Sequence, residues 1–66
     1  MEKKFFIRGY RSQSELPTLS DNEIYTLPEA VIKAKEYFGR IGALRKIKIF
    51  EQGTDERRAP TITLMH

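Results

Sequence analysis

The sequence contains no cysteine and no tryptophan, one histidine, four glycines and three prolines in 66 residues. Each scarcity removes a class of explanation. Without cysteine there is no disulfide to supplement a small core and no thiolate to ligate a metal. The same absence fits a reducing intracellular compartment, so a cytoplasmic location is the expectation. No apolar run approaches the roughly 20 residues of a membrane-spanning helix, and no membrane partner is expected. The opening MEKKFFIRGY has two lysines but neither a long apolar region nor a small-residue cleavage site, so it does not read as a signal peptide.

Catalysis is equally short of material. The one histidine, His66, is the last residue, and no cysteine or second histidine exists to pair with it. A carboxylate acting as general acid needs an apolar pocket to raise its pKa, and a domain with one helix offers little room for one. Asp21-Asn22-Glu23 lacks the spacing and central glycine of a calcium loop. No glycine motif that cradles phosphate is present. Gly39-Arg40-Ile41-Gly42 matches G-x-x-G, the loop with which KH domains clamp a nucleic-acid backbone. In those domains it joins two helices, whereas here it leads from a helix to a strand, and a helix cap followed by a turn glycine is the simpler reading. The expectation is a protein without enzymatic activity, metal or cofactor.

What is present points to a single α+β domain spanning residues 1–66. Hydrophobic residues make up 39% and charged residues 32%, the balance of a small folded domain rather than a disordered chain. A chain of this length buries only about 60% of its unfolded surface, so its stability is modest. One helix is clearly written, in TLPEAVIKAKEYFGRIG over 26–42. Thr26 and Glu29 have capping-box spacing, Pro28 falls in the first turn, and Gly39 or Gly42 could supply a left-handed C-terminal residue. Leu27, Ala30, Val31, Ala34, Phe38 and Ile41 share one face, while Ile32 and Tyr37 lie off it.

Strands flank the helix. Lys3–Arg11, Asn22–Tyr25, Ala43–Gln52 and Thr61–Met65 have the aromatic and β-branched content of strands, and the last two are expected to form an antiparallel hairpin. Ser12–Asp21 and Gly53–Pro60 read as loops, the first tacked down by Leu16 and Leu19. The predicted fold is therefore one antiparallel sheet of about four strands, ordered strand-strand-helix-strand-strand, with the helix on one face. Its core should contain Phe5, Ile7, Ile24, Leu27, Val31, Ala34, Phe38, Leu44, Ile47, Ile49, Ile62 and Leu64.

One helix covers one face, which leaves the other open. Alternation assigns Lys4, Phe6, Arg8 and Tyr10 of the first strand and Lys46, Lys48 and Phe50 of the third to that open face, with Met65 from the fourth. The net charge of +3 is mild, but these cations are concentrated while the carboxylates gather in loops. Three readings follow. The face is simply solvated, with lysine and arginine stems lying over the rings. Alternatively it is a protein contact, since large exposed apolar groups mark interfaces. As a third reading it is a platform for single-stranded nucleic acid, with rings stacking on bases and cations meeting phosphates.

The basic-aromatic first strand (KKFFIRGY), the capped helix (TLPEAVIKA) and the terminal hairpin (KIKIF to TITL) together resemble small phage-encoded inhibitor proteins, including some of the anti-CRISPR type. That resemblance implies a sheet-plus-helix domain that occupies a surface on a host complex. The expected function is a non-catalytic interaction module for a larger host protein or complex, with Lys4, Phe6, Arg8, Tyr10, Lys46, Lys48 and Phe50 as the binding residues. Single-stranded nucleic-acid binding through the same face is the alternative. A homodimer formed through a strand edge or the open face is the third expectation.

Overall fold

A computed structural model describes residues 3–53 and 58–66. The chain runs β1 (Phe5–Arg11), β2 (Leu19–Tyr25), α1 (Leu27–Arg40), β3 (Leu44–Glu51) and β4 (Ile62–Met65). The four strands form one sheet in the order β2-β1-β3-β4, every neighbouring pair antiparallel. The α+β architecture and the β3–β4 pairing are those expected. The Gly53–Pro60 turn falls partly outside the described residues.

Local chemistry explains how α1 begins and ends. Thr26 is extended at φ −70° and ψ 164°, and the Glu29 carboxylate accepts its backbone N–H at 3.1 Å and its hydroxyl at 2.7 Å. The first bond occupies a backbone donor that a helix start would otherwise leave unpaired, and the second fixes the carboxylate in place. They also hold the Glu29 carboxyl below the usual carboxylate range. The C-terminus departs from expectation. Gly39 lies inside the helix, and Ile41 caps it in extended conformation, with its N–H donating to the Tyr37 carbonyl at 2.8 Å. Gly53 is the one glycine with positive φ.

Ala30 and Ala34 are fully buried and let the helix settle closely on the sheet. With them, Phe5, Ile7, Leu44, Ile47 and Ile49 form the core, and Leu27, Val31, Phe38, Ile62 and Leu64 pack around it half-buried. Gly9 belongs to this face for a steric reason. A Cβ there would stand 3.0 Å from both Leu19 Cβ and Leu44 Cδ2, so the close approach is to side chains from β2 and β3.

Two expectations about the second strand fail together. It starts at Leu19 rather than Asn22, and Ile24 is 42% exposed rather than inward. The cause is a bulge. Ile7 pairs with Asp21, yet Phe5 pairs with Tyr25, so β2 uses four residues where β1 uses two. The extra backbone carries Ile24 outward and leaves Asp21 and Tyr25 on the core side. Leu19 anchors the preceding loop as expected, but Leu16 is 79% exposed and anchors nothing.

Candidate interaction surface

The register on the far side of the sheet from α1 forms a short ladder. Phe6 lies opposite Phe50, Arg8 opposite Lys48, and Tyr10 opposite Lys46. On the next strand, Thr63 faces Lys48 and Met65 faces Lys46. Phe6 and Phe50 stack with centroids 5.3 Å apart, and the Arg8 guanidinium sits 4.8 Å above Phe6. Tyr10 carries two cations, with Lys48 Nζ at 4.9 Å and Lys46 Nζ at 5.5 Å from its centroid.

The sequence expectation needs correcting here. Tyr10 and Phe50 do face away from the helix, but they are buried at 5% and 0% exposure. Apolar rings next to long basic side chains exclude water by folding the alkyl stems over themselves, which also brings the charge onto the ring face. Of the assigned aromatics only Phe6 is half-open. What the centre of the face presents is cationic, with Tyr10 and Phe50 underneath and Met65 exposed beside it on β4. Among the described residues, no strand position that the register assigns to this face carries a carboxylate.

Arg8 plays a different part from the lysines. Its Nη1 donates to the carbonyls of Ile7 at 2.9 Å and Asp21 at 3.0 Å, and its Nη2 approaches Asn22 Oδ1 at 3.4 Å. The guanidinium therefore braces the β2 bulge from outside. Lys4 stands just before β1, exposed, and its charge helps hold the Glu29 carboxyl down. That places its influence at the helix start. Lys46 and Lys48 are left as the pair that most directly define the basic patch.

The most organised polar cluster lies on the opposite side of the sheet and was missed at the level of sequence. Asp21 is 7% exposed on the core side of β2. One carboxylate oxygen accepts the phenol O–H groups of Tyr25 and Tyr37, each at 2.7 Å, and the other accepts the Glu23 N–H at 2.9 Å. Burial alone would raise its pKa. The two phenols, the amide and the nearby Lys33 charge outweigh burial and hold the carboxyl below its ordinary value. Burial and the Asp21 charge in turn push the Tyr37 phenol up to about 12 and the Tyr25 phenol higher still. The available signal was Tyr37 at the border of the apolar helix stripe, four residues beyond Lys33, whose ammonium lies 5.2 Å from its ring centroid. Every partner of Asp21 is a donor that fixes backbone or side chain, so the cluster reads as a lock on the bulge.

Elsewhere, His66 donates its N–H to the Arg45 carbonyl at 2.9 Å and sets its ring 5.1 Å from Phe38. A shallow depression beside the helix start is lined by Lys3, Phe5, Thr26, Leu27 and Pro28. Ile32 is 60% exposed on the helix, whereas Tyr37 is committed to Asp21 and does not join it in a helix-side surface. Among the described residues no helix is long and apolar enough to cross a membrane. No family model matches the chain, and neither a curated protein nor a solved structure matches it.

Proposed function

We propose that the chain is a non-catalytic interaction module that occupies a surface of a larger protein or complex through the basic face of its sheet. The observation that carries this reading is the pairing of Lys46 and Lys48 over the buried ring of Tyr10, on a face where the strand register places no carboxylate among the described residues. Such a patch steers an acidic partner and gives up little order on binding, because the lysine stems already lie against a ring.

A protein partner suits the face better than single-stranded nucleic acid. Base stacking requires ring faces open to the ligand, and Tyr10 and Phe50 are covered. Phosphate contacts alone would remain.

The test compares wild type with Lys46→Glu/Lys48→Glu as immobilised bait in an extract of the source cells, with and without nuclease. The reading expects a nuclease-resistant protein set held by wild type and lost on charge reversal. Capture that persists after reversal, or that nuclease abolishes, would refute it. Far-UV circular dichroism should be unchanged, since both ammonium groups are peripheral. Phe6 is left intact because it packs on Phe50.

A further inference from the structure

Among the described residues, β4 ends the sheet and its outer edge is unpaired. Its N–H and C=O groups alternate between β3 and the outside. His66 donates its N–H back to Arg45, so the same alternation turns the backbone groups of Thr63 and Met65 outward. The ITLM sequence carries no charge, no proline and no bulge, three of the usual devices that block addition of another strand, and only its length of four residues limits the edge.

The two sides of this edge differ in chemistry. On the helix side, Ile62 and Leu64 are only half-buried, because α1 packs mainly on β1, β2 and β3. On the other side Met65 is 71% exposed, next to the lysine row of β3. We propose that the β4 edge accepts an extended segment of the partner protein as a fifth strand, with apolar side chains beside Ile62 and Leu64 and acidic ones toward Lys46 and Lys48. The proposal rests on the basic-face reading above and specifies how that partner is held.

Charge complementarity selects this occupant. A second copy could offer its own β4, but that strand is neutral and would leave the lysines unanswered. A strand alternating apolar and acidic residues satisfies both sides at once, since successive side chains point to opposite faces. The added strand would lie about 10 Å from β3, a gap that a lysine and a glutamate side chain bridge together. Each ammonium swings from the Tyr10 ring toward the added strand while its alkyl stem stays against the ring.

The probe is a short capped peptide alternating valine and glutamate, followed by amide NMR on the intact chain, with a valine-lysine peptide as control. The expected result is slowed exchange and shifted resonances at Thr63 and Met65. The valine-lysine peptide should bind at least tenfold more weakly. Thr63→Pro removes an outward N–H without touching the β3 ladder, and should weaken the valine-glutamate peptide at least tenfold while Lys46→Glu/Lys48→Glu inverts the peptide preference. Unchanged binding by Thr63→Pro, with charge reversal still effective, would overturn strand addition and leave the basic-face reading standing. Loss on Thr63→Pro with no effect of charge reversal would defeat the basic-face reading and the acidic part of this proposal. If Thr63→Pro does not fold, the valine-glutamate peptide with alternate amides N-methylated replaces it, and undiminished binding by that peptide to wild type would overturn the proposal. So would no binding at millimolar peptide, displacement by oligo-dT with the same shifts, or β4-dependent self-association in sedimentation.

Discussion

At one margin of the sheet, β2 carries a bulge, an inward-pointing carboxylate held by three donors, and an arginine braced against its backbone from the other face. At the opposite margin β4 has four uncharged residues in regular register, with its outer backbone groups facing away from the sheet. Both margins face the same hazard, because unpaired strand edges invite other strands. The first is blunted by a bulge and an inward-pointing charge, at the cost of burying that charge. The second has been left short and plain. A small protein that spends Asp21, Tyr25, Tyr37 and Arg8 on one edge and nothing comparable on the other has one margin suited to stability and one suited to contact.

The largest effect should come from breaking the blunted edge. Asp21→Ala strips two phenols and an amide of their acceptor, and an unsatisfied buried donor costs roughly 1–3 kcal/mol. Urea unfolding should show a loss of about 3 kcal/mol, a large share for a domain of this size. Leu64→Ala at the open edge should cost only about 1–2 kcal/mol, below the range for fully buried leucine, because the helix does not fully cover it. Equal losses at the two positions would remove the distinction between the edges.

A pH series sharpens the contrast, since the titrating cluster of Asp21 and Tyr25 on β2 and Tyr37 on α1 sits at the β2 margin and has no counterpart at β4 among the described residues. The folded Asp21 carboxyl lies below its ordinary value of 3.8, so its stabilisation is present above that pH. It is lost as pH falls through the lower folded value. The tyrosines act in the opposite sense. With the Tyr37 phenol raised from 10.0 to about 12, its contribution is intact below pH 10 and is lost as pH climbs toward 12. Thermal unfolding should therefore show losses at both extremes, and Tyr37→Phe should flatten the alkaline limb. An unchanged alkaline limb in that variant would mean that the phenol is not held as described.

The smallest effect is expected from Thr63→Pro, which should shift stability by no more than about 1 kcal/mol because proline is tolerated where an edge N–H faces solvent. A loss as large as that of Asp21→Ala would show that the Thr63 N–H is bonded within the fold.

Much of this architecture was legible in the sequence. Thr26, Pro28 and Glu29 announce the helix start locally, and the alternation in KIKIF and ITLM assigns core and outer faces from a period of two. What escaped depends on contacts distant in sequence. Ile24 reads as inward because alternation assumes a regular strand, and nothing local reveals that Asp21 turns the chain with its own side chain. Tyr37 and Asp21 are sixteen residues apart and meet only when α1 lies on the sheet. The face of Tyr10 and Phe50 followed from pattern, but their burial did not. It depends on where flexible lysine stems lie and on how closely Phe6 stacks, which no periodicity encodes.

Amide hydrogen exchange on the free protein, resolved residue by residue, tests the difference between the edges most directly. Expected are a protected Glu23 amide within the bulge, a protected His66 amide, and Thr63 and Met65 amides that exchange at nearly unhindered rates. Protection at Thr63 and Met65 equal to that at His66, or a Glu23 amide that exchanges freely, would contradict that difference.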